Sequence, residues 1–227
     1  DAFADLDSAL AAVVPGKTEI WISGQIAASS LSIAASSPLA LRGGFAGTEN
    51  SPADRAAGSL TVLDFGNALG GFTIDNSAAV EIDRLEFLRC RTRAIAKSGV
   101  GDLALRDSVF TRCGQNALLK GRALYAEGSS AANISITNCV VRGNMTVDSN
   151  RGEQSNHGAA VYVSGCSRLF VDDSLFASNG MQLVDMTGAY DYFGYVLGAA
   201  IYADSTPVTA RGTRFAANCN GNRQGGG

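Results

Sequence analysis

Few residues of this chain are suited to chemistry. Among its 227 residues is a single histidine, His157, and 39 charged side chains, 18 basic and 21 acidic. One imidazole excludes His-rich metal cages and leaves one candidate for a histidine general base. The best carboxylate pair is Asp172-Asp173; paired carboxyl groups can divide general acid and base work on a glycosidic bond. Asp185 and Asp191 offer Ca²⁺ two carboxylates, short of the roughly six to eight oxygens it takes. No metal site and no cofactor are expected. The densest aromatic cluster is Tyr190, Asp191, Tyr192, Phe193 and Tyr195. Aromatic rings beside a carboxylate can stack on a sugar or anchor a protein partner; the bland alternative is a lid folded onto the chain's own flank.

The five cysteines point either to an oxidising compartment with one thiol left over or to buried apolar cysteines in a reducing one. Asn133-Ile134-Ser135 and Asn144-Met145-Thr146 are sequons, so Asn133 and Asn144 are glycosylation candidates in a eukaryotic secretory setting. A net charge of -3 gives no electrostatic footprint for nucleic acid or an anionic membrane. The sequence shows no apolar run of the roughly 18 residues that would suggest insertion in a membrane, and Asp1-Ala2-Phe3 lacks the basic flank of a signal peptide. The chain reads as soluble.

What must position these residues is read from periodicity. Leu6 to Val13 predicts a helix, capped by Asp5 or Asp7 and stopped at Pro15-Gly16. Beyond it the period is two, in short triplets with apolar first and third residues: Ile20-Trp21-Ile22, Leu31-Ser32-Ile33, Leu39-Ala40-Leu41, Leu60-Thr61-Val62, Phe72-Thr73-Ile74, Val80-Glu81-Ile82, Leu103-Ala104-Leu105, Ile134-Ser135-Ile136 and Leu169-Phe170-Val171. Many short strands separated by turn residues suggest a coil of repeats.

Anchoring on Phe87, Phe110, Val141, Phe176 and Phe215 aligns five segments without gaps. Seven and five places earlier stand Val80/Ile82, Leu103/Leu105, Ile134/Ile136, Leu169/Val171 and Val208/Ala210; three places later stand Cys90, Cys113, Asn144, Asn179 and Asn218. Asparagine in such a column suits a stacked turn, since it tolerates left-handed backbone and its amide can bond the same residue in the next rung. A second motif recurs as Thr92-Arg93-Ala94-Ile95, Gly121-Arg122-Ala123-Leu124, Gly158-Ala159-Ala160-Val161 and Gly198-Ala199-Ala200-Ile201, with Tyr125, Tyr162 and Tyr202 after the last three. From each motif alanine to the next anchor there are 16, 18, 16 and 15 residues, whereas from each anchor to the next such alanine there are 7, 13, 19 and 24. One flank of the repeat is fixed and the other grows. The shortest repeat, 23 residues from Phe87 to Phe110, suits one turn of a three-sided coil. The expected organisation is one β-helix domain over 1–227: a helical cap at 1–17, coils over 18–227, and insertions near 114–120, 145–157 and 180–197 that leave at one corner and make one continuous face.

These columns weigh the chemistry. Asp172 shares a column with Asp83, Arg106, Thr137 and Arg211, and Asp173 with Arg84, Asp107, Asn138 and Gly212, which reads as a solvated charge ladder and a turn rather than a catalytic dyad. Asn156-His157-Gly158 has the form of a hydrolase His-Gly pair, but no acidic triplet stands at the matching coil position. Cys90 and Cys113 fall in one column on adjacent rungs, about 4.8 Å apart, within disulfide range.

The paired patterns Gly198-Ala199-Ala200-Ile201 and Phe215-Ala216-Ala217-Asn218 resemble the repeats of polymorphic outer-membrane-protein-like surface proteins, which are right-handed parallel β-helices. The stretch Leu41 to Asp64, LRGGFAGTENSPADRAAGSLTVLD, looks like the early segment of such β-helices, with its GGF-x-G-x-E core, following Arg and T-[V/I]-L-D; an N-terminal helical cap is also typical. The resemblance implies an all-β solenoid that is non-enzymatic and extracellular or at the cell surface, a structural spine or an adhesin-type module displaying loops to a protein or glycan. Because parallel β-helices host several functions, two others stay open: a polysaccharide-active lyase or glycoside hydrolase, and a subunit of a larger surface fibre. After Asn218 the sequence has no amphipathic cap, and an open rung presents unpaired backbone, so another β-helix segment or subunit is expected at the C-terminal coil, the chain being part of a longer chain or an assembly.

Overall fold

A strand of three to five residues with one apolar side cannot bury it alone, but stacked in register on its neighbours it hides that side in a continuous core. A computed structural model shows this arrangement and describes residues 5–14, 18–27, 30–114, 120–128, 131–148, 156–157, 160–183 and 196–219. The first sheet stacks Glu19–Ser23, Leu39–Phe45, Val80–Asp83, Leu103–Arg106, Asn133–Thr137, Arg168–Asp172 and Val208–Arg211. The second stacks Gln25–Ala27, Thr61–Asp64, Leu85–Leu88, Val109–Thr111, Val140–Arg142, Leu175–Ala177 and Arg214–Ala216. The third stacks Leu31–Ile33, Phe72–Asp75, Ile95–Ser98, Leu124–Glu127, Val161–Ser164 and Ile201–Asp204. All pairings in the three sheets are parallel, and the chain visits them in turn, so the protein is an all-β parallel β-helix. A short helix, Leu6–Ala11, precedes it; the Asp5 carboxylate accepts from the Ser8 N–H at 2.7 Å, and Leu6 and Ala9 are buried against the core.

The five anchors form one column. Phe87 pairs with Phe110, Phe110 with Val141, Val141 with Phe176 and Phe176 with Phe215, and the column extends backwards through Leu63 to Ile26. The Phe87 and Phe110 rings stack at 5.2 Å between centroids. The anchors through Phe176 are buried, each such side chain contributing roughly 1.5–3 kcal/mol. One triplet is read differently by the structure. In Leu60-Thr61-Val62 the apolar ends were expected inside, yet Thr61 and Leu63 face the core while Leu60 and Val62 are half-buried. A hydrogen-bonding task places the threonine inside: Thr61 Oγ1 donates to Ile22 O at 2.7 Å and accepts from Gly44 N–H at 2.9 Å.

That task recurs around the coil. Between the first and second sheets Arg84, Asp107, Asn138, Asp173 and Gly212 have φ between 47° and 56°; after the second sheet Arg89, Arg112, Gly143, Ser178 and Ala217 have φ between 51° and 62°. The left-handed residue is thus the one before the asparagine column, not the asparagine itself. One left-handed residue turns the chain sharply, and the next points inward with a small side chain, except after Arg84, where it is the core residue Leu85. At the second corner this is the asparagine ladder: Asn144, Asn179 and Asn218 donate from Nδ2 to Phe110 O, Val141 O and Phe176 O at 3.0, 2.8 and 2.9 Å. Their Oδ1 atoms accept the backbone N–H groups of Cys113, Asn144 and Asn179 on the preceding rung, at 2.9, 3.2 and 3.1 Å. Amide-to-amide bonds of 3.0 and 2.9 Å link Asn144 to Asn179 and Asn179 to Asn218. At the first corner Ser174 Oγ takes the Cys139 N–H at 3.1 Å; at the third, Thr206 Oγ1 takes the Cys166 N–H at 3.0 Å.

The third corner holds an exception. Lys97 stands in the inward column between Ile74 and Ala126 and is buried. Its Nζ donates to Asn76 Oδ1, Ser98 O and Gly99 O at 2.9, 2.9 and 3.0 Å, so three donors meet three acceptors. Burial holds the ammonium pKa below its ordinary value.

Asn179→Leu is expected to lower the unfolding free energy by about 3 kcal/mol, because the Asn144 N–H and Val141 O lose their side-chain partner inside the coil and Asn218 Oδ1 keeps only the Asn179 N–H. Urea unfolding checks this; a change under about 1 kcal/mol would mean that the ladder carries no weight.

Candidate functional site

The early segment that carried the resemblance proves to be a structural clip. Gly43 leaves room that a Cβ would lose to Arg84 O at 2.3 Å, and Gly44, at φ 79°, lies where a Cβ would meet Ser59 O at 2.6 Å. The Glu49 carboxylate closes the loop by accepting from the N–H groups of Ala46, Gly47 and Thr48 at 2.7, 2.9 and 2.9 Å, which holds its pKa below the ordinary carboxylate value. Arg55 ties the excursion down, donating to Gly43 O at 2.9 Å and Asp83 Oδ2 at 2.7 Å with its guanidinium over the Phe45 ring. Asp64 pairs with Arg89. Gly43, Gly44, Phe45, Glu49, Arg55 and Asp64 all serve the fold. This excursion leaves between the first and second sheets, whereas those of 114–120, 145–157 and 180–197 run between the second and third.

The second and third of these excursions keep the rung register as they depart and return. Met145–Asp148 pairs in parallel with Gly180–Leu183, and Asn156–His157 with Val196–Leu197. The first and third re-enter through a motif glycine that makes a fold-back: at Gly121 (φ 60°) and Gly198 (φ 68°) a Cβ would stand 2.2 Å from the carbonyl oxygen of Leu124 and of Ile201. The motif alanines 94, 123 and 160 and the next residues Ile95, Leu124 and Val161 are buried, which turns the following tyrosine outward.

The outcome is a tyrosine ladder on the outer face of the third sheet, beside the corner where the excursions return. Tyr125, Tyr162 and Tyr202 stack with centroids 5.3 and 5.4 Å apart and planes within 11° and 6°. Arg93 lies over the Tyr125 ring at 4.2 Å and Lys120 over Tyr162 at 4.7 Å. The Tyr125 hydroxyl donates to Glu127; burial first, then that carboxylate, pushes its pKa up to about 12. Tyr162, in the middle, is buried, and Tyr125 and Tyr202 are half-buried. A fixed row of aromatic rings with cations at its margin can take flat apolar faces and hydrogen-bond at its rim.

The structure separates the carboxylate pair. Asp172 is on the outer face of the first sheet, paired in register with Thr137 and Arg211, while Asp173 is the left-handed corner residue, φ 48°. The neighbouring rungs alternate in sign, and Arg42 reaches Glu19, Glu81 and Asp83 at 3.0, 2.8 and 3.5 Å. No group of three or more His, Cys, Asp or Glu that could hold a metal exists among the described residues. Tyr190, Asp191, Tyr192, Phe193 and Tyr195 lie outside the described residues, as does Asp185. Asn133 is half-buried in a first-sheet strand and donates from Nδ2 to Asp102 Oδ1 at 3.2 Å; Asn144 is buried in the asparagine ladder.

The disulfide expected between Cys90 and Cys113 is corrected: none of the five cysteines is in a disulfide. They do share a column, but as substitutes for asparagine. Cys113 Sγ lies 3.6 Å from Phe87 O, the bond that Asn144 makes to Phe110 O one rung on. Cys139 Sγ likewise lies 3.3 Å from Thr137 O in a column shared with Ser108 and Ser174. Four cysteines are therefore inward corner residues, and their number does not report a redox compartment. The sequence already carried this alternative, since Cys90 and Cys113 fall in the asparagine column and buried cysteines were one of the two readings of the five. Burial pushes the Cys139 thiol up to about 12 and the Cys90 thiol well above its ordinary value. No family model, no curated protein and no solved structure matches the chain.

Alkylation of the folded protein at pH 8 should modify Cys219, whose side chain is exposed, and leave Cys90, Cys113, Cys139 and Cys166 intact until denaturant is added. Peptide mass spectrometry reads the result; modification of Cys113 or Cys139 under native conditions would contradict the inward corner assignment.

Proposed function

We propose that the chain is a non-enzymatic display module, extracellular or at the cell surface, that presents the corner carrying the excursions to a protein or glycan partner. The observation that carries this is the growth of successive excursions at one corner, in rung register, beside the tyrosine ladder. A scaffold whose one flank stays constant while the other lengthens places its variable sequence on one surface. The resemblance of the repeats to polymorphic outer-membrane-protein-like surface proteins supports the same reading and the surface location. The separation of Asp172 from Asp173 weighs against a dyad acting on polysaccharide.

A second reading has its own support. In the last rung Val208 and Phe215 are 45% and 49% exposed, although their column neighbours Leu169 and Phe176 are fully buried. Such an edge accepts a further rung, so docking of another β-helix segment there is compatible with the display role.

Fluorescently labelled protein is expected to bind cells of its own source saturably. Replacing residues 184–195 with a short Gly-Ser linker, alone or with Tyr202→Ser, should reduce that binding at least tenfold while the melting temperature falls by only a few degrees. Pectin and alginate incubated with the protein should stay intact. Binding that survives both changes, or release of unsaturated sugars, would overturn the proposal.

A further inference from the structure

The chain has one tryptophan, placed where a fold gains little from it. Trp21 points out of the first strand of the first sheet, 42% exposed. Its ring is nonetheless fixed: it stacks on Phe45 with centroids 4.6 Å apart and planes within 8°, and Nε1 donates to the Glu19 carboxylate. Phe45 is itself buried and covered on its own account by Arg55 at 5.1 Å. With one face of the indole on Phe45, its exposed area is the opposite face and the rim.

The rim is polar and equally fixed. Glu19 joins Trp21 to Arg42, whose Nε lies 3.0 Å from it, and Arg42 continues to Glu81 at 2.8 Å and Asp83 at 3.5 Å. Arg55 reaches Asp83 at 2.7 Å and Arg106 reaches Glu81 at 3.4 Å. Three carboxylates are balanced by three guanidiniums, so the cluster carries no net charge and does not select an ion. Asp83 and Arg55 are buried within the cluster, whereas Glu19, Arg42 and Glu81 are partly exposed and keep acceptor and donor capacity on the outer face that carries the indole. In register, Ala40 lies between Glu19 and Glu81, and the Arg42 guanidinium bridges the two carboxylates. A flat apolar platform with hydrogen-bonding groups of both kinds at its edge, and no excess charge, matches the chemistry of a pyranose ring: one face of C–H bonds, a rim of hydroxyls.

We infer that Trp21, with Glu19 and Arg42 at its edge, is a binding site for a neutral carbohydrate. It lies on the first sheet and is separate from the tyrosine ladder on the third, so it stands whether or not that ladder binds a partner. Such a site would hold the coil to a neutral polysaccharide surface while the variable corner faces elsewhere.

Because Trp21 is the only tryptophan, the intrinsic indole emission of the full chain reports the site directly. Titration with neutral oligosaccharides (cello-, xylo-, manno- and chito-hexamers) is expected to give a saturable change in emission with at least one of them, unaltered between low and high salt. Trp21→Ala should lose retention on the corresponding insoluble polysaccharide at least tenfold, Trp21→Phe should keep part of it, and Arg142→Gln, at an exposed position on the second sheet, should keep all of it. Circular dichroism melting distinguishes lost binding from lost fold in Trp21→Ala. The inference is overturned if no hexamer alters the emission, if retention is the same in Trp21→Ala, or if binding is abolished by salt, which would indicate an ionic partner instead.

Discussion

A parallel coil has to satisfy backbone donors where the chain turns, and it has no strand there to do it. At most corners of this protein one residue adopts the left-handed conformation and the next sends a short side chain inward to the main chain of the adjoining rung, Leu85 after Arg84 and the exposed Val100 after Gly99 being exceptions. An unpaired backbone N–H in such a place would cost about 1–3 kcal/mol, repeated at every corner of every coil. The asparagine ladder, the Ser/Thr column and the four inward cysteines are versions of one solution. The left-handed step is more demanding of conformation than of side chain, since Arg84, Arg89, Arg112 and Ala217 all adopt it. Holding non-glycine residues there costs of order 1 kcal/mol each, which the inward bonds offset.

This constraint decides where variation is tolerated. Past the second rung, the corner between the first and second sheets is set by a left-handed residue and an inward partner separated from the next strand by no spare chain, so its length is constant. After the asparagine column the chain is already satisfied, and it can leave for any distance before Gly-x-Ala returns it to the third sheet. The excursions thus lengthen without disturbing the stacked phenylalanines, and the tyrosines following Ala123, Ala160 and Ala200 become a ladder because their rungs are in register. Core, corner and outer face are consequences of the same repeat.

Much of this was legible in the sequence because identical positions in successive rungs touch. The anchor column, the first-sheet pairs and the amide-to-amide bonds between Asn144, Asn179 and Asn218 follow from an ungapped alignment. What escaped it involves contacts between unlike positions. Thr61 and Leu63 face inward because a threonine hydroxyl is needed by Ile22 and Gly44, which hydrophobic alternation alone cannot show. The cysteines matched disulfide spacing and asparagine substitution alike, and only the direction of Cys113 Sγ toward a carbonyl separates the two. The Trp21 platform joins a strand residue to Phe45 across the second rung and to Arg55 in an excursion, a combination with no periodic signature.

The central claim is that inward corner side chains hold the rungs together, and native-state hydrogen exchange of the backbone amides tests it most directly. The N–H groups of Cys113, Asn144, Asn179, Cys139 and Cys166, which donate to side chains of the next rung, are expected to exchange only through global unfolding, as slowly as the strand amide of Phe110. If these corner amides instead exchange orders of magnitude faster than Phe110, through local opening, the coil is held by its strands alone and the account is wrong.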